Sequence, residues 1–178
     1  IMHGILSGLK CLHDIPGKAM LHRDVTPSNV MLRRSQIQNV DEVVLVDFGL
    51  SKRVNERGQT ITQGEIFIGT SEYLSVEVVK GLEPQHYHTG VDVWAAGVVL
   101  YEMLAGKRPF SGPNTRVLWQ DIINSTPKDL PTAGSGVNAF LRRAMEKKPE
   151  ERFKDAKEMH EVFEIICQDP YTVPDQLQ

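Results

Sequence analysis

Apolar residues at Ile1, Ile5, Leu9 and Leu12 recur at helical spacing, and Met2 and Leu6 widen the stripe. The chain therefore opens on an amphipathic helix, which Pro16 and Gly17 bring to an end near Asp14. Two short, β-branched-rich runs follow, Val30-Met31-Leu32 and Val43-Val44-Leu45-Val46, and both read as strands. A polar connection from Arg33 to Glu42 separates them. Residues 49 to 75 mix Gly, Thr, Ser and charge without a sustained period. A loop of that length inside a compact domain is usually functional or disordered. VDVWAAGVVLYEMLA, residues 91 to 105, is then apolar almost throughout. A helix apolar on every side belongs in the middle of a domain. Shorter helical patterns lie around Val117 to Ile123, Val137 to Glu146 and Asp155 to Cys167. The final DPYTVPDQLQ carries no period and is expected at the surface or disordered.

The pattern predicts a mostly helical domain with two strands and one long loop. Its 178 residues are enough for one domain with a sizeable core. A net charge of −3 argues against non-specific binding to nucleic acid or to an anionic membrane. No apolar run reaches the roughly 18 residues of a membrane helix, and no signal-peptide pattern opens the chain. Cys11 and Cys167 form no metal-type cluster and fit a reducing, intracellular (cytoplasmic) setting, with one long-range disulfide left open. The first residue is Ile and falls inside a helical pattern, so the chain is expected to be part of a longer one.

Chemistry concentrates in LHRDVTPSNVML, residues 21 to 32. Asp24 and Asn29 stand five residues apart between the first helix and the first strand. The second strand ends in Asp47-Phe48-Gly49, so pairing the strands as a hairpin brings Asn29 and Asp47 close. Both offer hard oxygen ligands, which Mg²⁺ prefers when it also holds phosphate oxygens. Asp24 is then placed to take a proton from an attacking hydroxyl. With an ordinary pKa near about 3.9 an Asp is ionised at neutral pH, and it orients the hydroxyl more than it deprotonates it.

HRDVTPSN (22–29) and DFG (47–49) resemble the catalytic loop and metal-binding motif of eukaryotic protein kinases. The resemblance continues in order. GTSEYLSVE (69–77) resembles the end of an activation segment, DVWAAG (92–97) the start of the buried central helix, and PEERF (149–153) the late segment whose Arg pairs with the activation-segment Glu. It implies an α+β, mostly α fold: the large, C-terminal lobe of a protein kinase, with a buried central helix, a short β-hairpin and a long activation segment. That lobe would cover residues 1–168, with 169–178 as a C-terminal tail.

The implied activity is transfer of the ATP γ-phosphate to Ser/Thr hydroxyls of a protein substrate. GTSEYLS and Pro27 resemble the serine/threonine class. By the same resemblance Asp24 is the catalytic Asp, and Asn29 and Asp47 hold Mg²⁺. Met31 floors the adenine, His22 and Phe48 stack between the lobes, Asp92 anchors the catalytic loop through its backbone N–H groups, and Glu77 pairs with Arg152 in a buried ion pair. Arg23 would meet a phosphorylated activation loop, with Thr60 and Thr62 the nearest acceptors.

Three departures bear on function. Thr26 stands where the serine/threonine class carries Lys, so a positive charge near the γ-phosphate is missing, although Thr70 could hydrogen-bond the catalytic Asp. Ser75-Val76-Glu77 replaces Ala-Pro-Glu, which keeps the Glu. The glycine-rich loop, strand Lys and helix Glu of the small lobe are absent and would precede residue 1, so little or no activity is expected of this stretch alone. A pseudokinase, acting as a binding or scaffold module, is the alternative. A small-molecule phosphotransferase ranks last, because the parts from Glu77 to Arg152 build a peptide platform. Other features read as ordinary: His86 and His88 as a solvated loop, Cys11 and His13 as structural, Phe48 and Trp94 as core, and Arg142, Arg143, Lys147 and Lys148 as a solvated charged face.

Overall fold

The computed structural model describes residues 1–17, 19–34, 41–47 and 71–177. Helix α1 spans Met2–His13 and buries Met2, Ile5, Leu6, Leu9 and His13 on one face. Strands β1 (Val30–Arg34) and β2 (Asp41–Leu45) pair antiparallel, with Val30 opposite Leu45 and Arg34 opposite Asp41. Arg33, Arg34, Asp41 and Glu42 thus belong to the strands rather than to the connection expected there. The reason is cross-strand: Arg33 faces Glu42 and meets its carboxylate at 2.5 Å. The hairpin leans on α1, where Gly4 and Gly8 lie against Val43 and Leu45, and a Cβ on Gly4 would collide with the Val43 side chain.

After a short helix α2 (Val76–Val79), helix α3 (Gly90–Ala105) forms the centre of the domain. Every residue from Gly90 to Tyr101 is buried, which accounts for its lack of a polar face. Helices α4 (Thr115–Asn124), α5 (Ser135–Ala144) and α6 (Ala156–Gln168) complete the bundle. α6 starts after Asp155 because that carboxylate accepts the Glu158 N–H at 2.9 Å, closing the first turn. Trp94 stacks on Phe110 with ring centroids 5.5 Å apart, and Phe140 packs on Phe153 at 4.9 Å.

The basic run from the last turn of α5 to Lys148 is not one solvated face. Arg142 and Lys148 are exposed, whereas Arg143 lies over the Phe153 ring at 4.4 Å and meets Glu158 at 2.5 Å. Lys147 sits 4.4 Å from the Phe110 centroid and 5.0 Å from that of Trp94, and donates to the Ile122 carbonyl at 2.7 Å. Burial pushes its ammonium pKa down to about 8, with Asp121 raising it and Arg152 lowering it further. The aliphatic stems cover aromatic surface while the cations face the rings.

The chain end, expected at the surface or disordered, lies at the surface and is docked on α5. The Gly136 and Val137 N–H groups at the start of α5 donate to the Pro170 carbonyl at 2.9 and 3.4 Å, and Ser135 Oγ donates to the Tyr171 carbonyl. Arg143 donates to the Gln176 carbonyl at 2.9 Å, Pro174 is buried, and Leu177 packs on the core. The first-turn amides of a helix have no partner inside it, and the tail supplies one. Cys11 and Cys167 are both exposed and free, so the long-range disulfide left open by the sequence is not formed. Among the described residues no helix is long and apolar enough to cross a membrane.

Gly134 carries φ 83°, and a Cβ there would run into the Pro170 carbonyl oxygen. Gly134→Ala is expected to lower stability by roughly 1–3 kcal/mol, read as a drop in the urea midpoint. An unchanged midpoint would mean that the tail does not hold this position.

Candidate active site

Asp92, in the first turn of α3, is fully buried. Its Oδ1 accepts the Arg23 N–H at 2.8 Å, and its Oδ2 accepts the His22 N–H at 2.8 Å and His13 Nε2 at 3.0 Å. His13 Nδ1 in turn accepts the Ala156 N–H at 3.1 Å. That bond leaves the ring proton on Nε2, where it faces the carboxylate. The end of α1, the start of α6 and the start of α3 therefore meet at one side chain. His13, read as structural, has that role as part of this junction. No spacing in the sequence links it to a residue 79 positions away.

The 22–29 loop is tied to the hairpin by the same logic. The fully buried His22 places Nε2 3.1 Å from the Val46 carbonyl, and its Nδ1 accepts the Asp24 N–H at 3.3 Å. The Val46 N–H donates to the Asn29 carbonyl at 3.0 Å, just beyond the Val30–Leu45 pair. This puts Asp47 next to Asn29 at the open end of the hairpin. A 3₁₀ turn over Pro27–Asn29 points the Asn29 amide back into the loop. Its Nδ2 donates to the Asp24 carbonyl at 2.8 Å and to Asp24 Oδ2 at 3.0 Å.

Two residues here hold left-handed backbone without being glycine: Arg23 at φ 65° and Asp47 at φ 59°. Such conformations cost on the order of 1–3 kcal/mol each and persist only where surrounding contacts impose them. Asp47 is exposed and Asn29 is buried. The Asp24 contacts use the Asn29 nitrogen, so its Oδ1 is the atom left to a cation. An amide oxygen and a carboxylate are both hard donors, a set that fits Mg²⁺. Met31 stands on β1 at 57% exposure, an uncovered apolar surface beside these groups.

Thr26 is 3% exposed, and its hydroxyl lies 2.8 Å from Ser28 Oγ. Asp24, Thr26, Leu74 and Ser75 line one small depression together with Arg23 and Tyr73. The segment carrying Leu74 and Ser75 is pinned to α3, because the Tyr73 hydroxyl donates to Glu102 at 2.6 Å. Arg23 lies 5.9 Å from the Tyr87 ring centroid. Phe48, Thr60, Thr62 and Thr70 fall outside the described residues. His86 and His88 are exposed, and His88 Nδ1 accepts the Gly90 N–H at 3.2 Å.

Glu77 and Arg152 form a second tie. Arg152 Nη1 and Nη2 each donate to one Glu77 carboxylate oxygen at 2.8 Å, while Nη1 also reaches the Gly90 carbonyl at 2.9 Å and Nε the Glu146 carbonyl at 2.7 Å. The guanidinium lies 4.9 Å from the Trp94 centroid. Burial alone would raise the Glu77 carboxyl, but the Arg152 hydrogen bonds and charge outweigh it and hold the pKa below the usual 4.5.

A family model for the protein kinase domain matches residues 1–171. The chain is 34% identical over 167 residues to a probable serine/threonine-protein kinase PknB of Corynebacterium glutamicum, covering 89% of this chain and 24% of that protein. It is 34% identical over 149 residues to serine/threonine-protein kinase AtPK2/AtPK19 of Arabidopsis thaliana, covering 83% and 28%. Serine/threonine-protein kinase PknB of Mycobacterium tuberculosis is 33% identical over 144 residues, with 79% and 22% covered. The chain thus spans about a quarter of the length of the curated relatives it matches.

A depressed carboxyl pKa contributes stability above the unfolded value and loses it as pH falls through the folded one. Glu77→Gln is therefore expected to cost about 3 kcal/mol at neutral pH. Its stability deficit should shrink as pH drops below 4.5. Denaturation midpoints of both proteins across pH test this; a deficit that stays constant into acid would remove Glu77 ionisation as its source.

Proposed function

The chain belongs to the protein kinase family, and from that premise we propose that it catalyses transfer of the ATP γ-phosphate to Ser or Thr hydroxyls of protein substrates. In this reading residues 1–168 are the large lobe and 169–178 its tail, and a small lobe covers the nucleotide. The single observation that carries the proposal is the Asn29 amide bonded to Asp24 beside the strand that leads into Asp47. The relatives' names, each a serine/threonine-protein kinase, support the acceptor class.

The chemistry asked of these residues is mainly positioning. Asp24, steadied by Asn29 and by its own N–H on His22, offers a carboxylate oxygen to the acceptor hydroxyl, aligns it and takes its proton as the new P–O bond forms and the bond from the γ-phosphorus to the leaving ADP oxygen breaks. Asn29 Oδ1 and the Asp47 carboxylate would hold Mg²⁺, which when bound neutralises charge on the phosphate oxygens. Met31 supplies apolar surface beneath the adenine. Leu74, Ser75 and Val78, along the depression beside Asp24, receive the peptide around the acceptor. Arg23 is the candidate partner of a phosphorylated Thr60 or Thr62.

Thr26 favours a second reading, a pseudokinase that binds without transfer. Its short hydroxyl is occupied with Ser28, and the loop residues Val25 to Ser28 bring no cation toward a γ-phosphate. Phosphate-transfer and Mg²⁺-ATP thermal-shift assays on the full-length protein separate the two. Asp24→Asn is expected to lower kcat by on the order of 10²–10⁴ while the thermal shift persists. Full activity in Asp24→Asn would end the transfer proposal, and a shift with no transfer in the wild type would select the binding module.

Thr26→Lys restores a charge and is expected to raise turnover, with a ceiling on the order of 10²–10³. Turnover that does not rise, measured with the same peptide substrate, would show that the loop has no use for that charge.

A further inference from the structure

On the face of the domain where α1 packs against α6, two imidazoles and a carboxylate converge. His3 lies in the first turn of α1, and His160 and Glu164 occupy successive turns of α6. His160 Nε2 is 2.8 Å from His3 Nδ1 and 3.8 Å from Glu164 Oε1, and all three ligand atoms lie within 4.8 Å of one another. The His3 ring stands edge-on to His160 at 4.8 Å and to Phe163 at 5.6 Å, which orients its nitrogen toward α6. We propose that His3, His160 and Glu164 bind a Zn²⁺ ion that clamps α1 to α6.

The donor set selects the metal. Mg²⁺ takes oxygen ligands, whereas two imidazole nitrogens with one carboxylate suit zinc and its borderline neighbours. Bonds of about 2.0–2.1 Å at tetrahedral angles put ligand atoms roughly 3.3–3.4 Å apart. The separations of 2.8 and 3.8 Å fall on either side of that value. Bringing those two separations to that value takes shifts of about half an ångström, and the third, within 4.8 Å, needs up to roughly 1.4 Å, which a Glu164 side chain that is 55% exposed can supply. Three protein ligands leave the fourth position to water. The clamp also braces the two helices whose other ends meet at His13, where Ala156 N–H bonds the ring that faces Asp92.

The test uses the full-length protein, freed of metal with a chelator and titrated with Zn²⁺ in excess Mg²⁺. One ion per chain is expected, with a rise in Tm of roughly 5–10 °C at a free Zn²⁺ concentration about 100-fold above Kd. Loss of even an outer partner of a metal site lowers affinity about 10–100-fold. His3→Ala and His160→Ala should therefore each weaken binding by about 100-fold or more. Glu164→Gln, at an exposed position that does not endanger folding, should weaken it less and erase most of the Tm rise. Cys167→Ser should leave binding intact. The proposal fails if the wild type takes up no Zn²⁺, leaving the His3–His160 contact an ordinary hydrogen bond. It fails equally if the His3/His160 double variant binds as tightly, or if Cys167→Ser abolishes binding and assigns the ion to a thiol.

Discussion

A carboxylate taken wholly out of water must find its partners inside the protein, and for Asp92 those partners are two successive backbone amides and one imidazole. An unpaired ion at that depth costs several kcal/mol, and a hydrogen bond to a charged group returns about 1.5–3 kcal/mol. Three such bonds make the buried position tenable, and each constrains something else. Turning the His22 and Arg23 N–H groups toward one anion needs a left-handed residue, and Arg23 takes that conformation. The position of Asp24, the next residue, follows from it.

Helix α3 extends that constraint beyond the loop. Its first turn presents the Asp92 side chain to residues 22 and 23 and the Gly90 carbonyl to Arg152, which grips Glu77 with both nitrogens. Tyr73 reaches further along the same helix to Glu102. The 22–29 loop and the segment around Leu74 and Ser75 are therefore referred to one helix that is buried from Gly90 to Tyr101. Groups that must meet a substrate within a fraction of an ångström are best held this way, because neither side can drift without exposing an ion.

The helix pair α1 and α6 carries polar junctions at two levels. At one, His13 joins both helices to Asp92 and lies almost entirely out of water. At the other, His3 meets His160 near the surface, where side chains can still adjust to a ligand. A buried imidazole with both nitrogens satisfied has a structural task, whereas a half-exposed pair with a carboxylate one turn away can still coordinate.

Periodicity along the chain was sufficient for α1, for the almost wholly apolar α3 and for the existence of the hairpin, since each depends on which side chains share a face. Asp24 and Asn29 stood out by residue type and spacing, whereas the bond between their side chains depends on the 3₁₀ turn over Pro27–Asn29. Other features answered to packing alone. Strand ends were set by Arg33 across from Glu42, the tail by orphan amides on α5, and the fates of Arg143 and Lys147 by aromatic rings from other elements. The His13–Asp92 and His3–His160 contacts join residues 79 and 157 positions apart. A sequence pattern tells which face of a helix a residue occupies. What that face meets is decided only when the helices pack, because burial gives a polar group a free-energy penalty that one particular neighbour must offset.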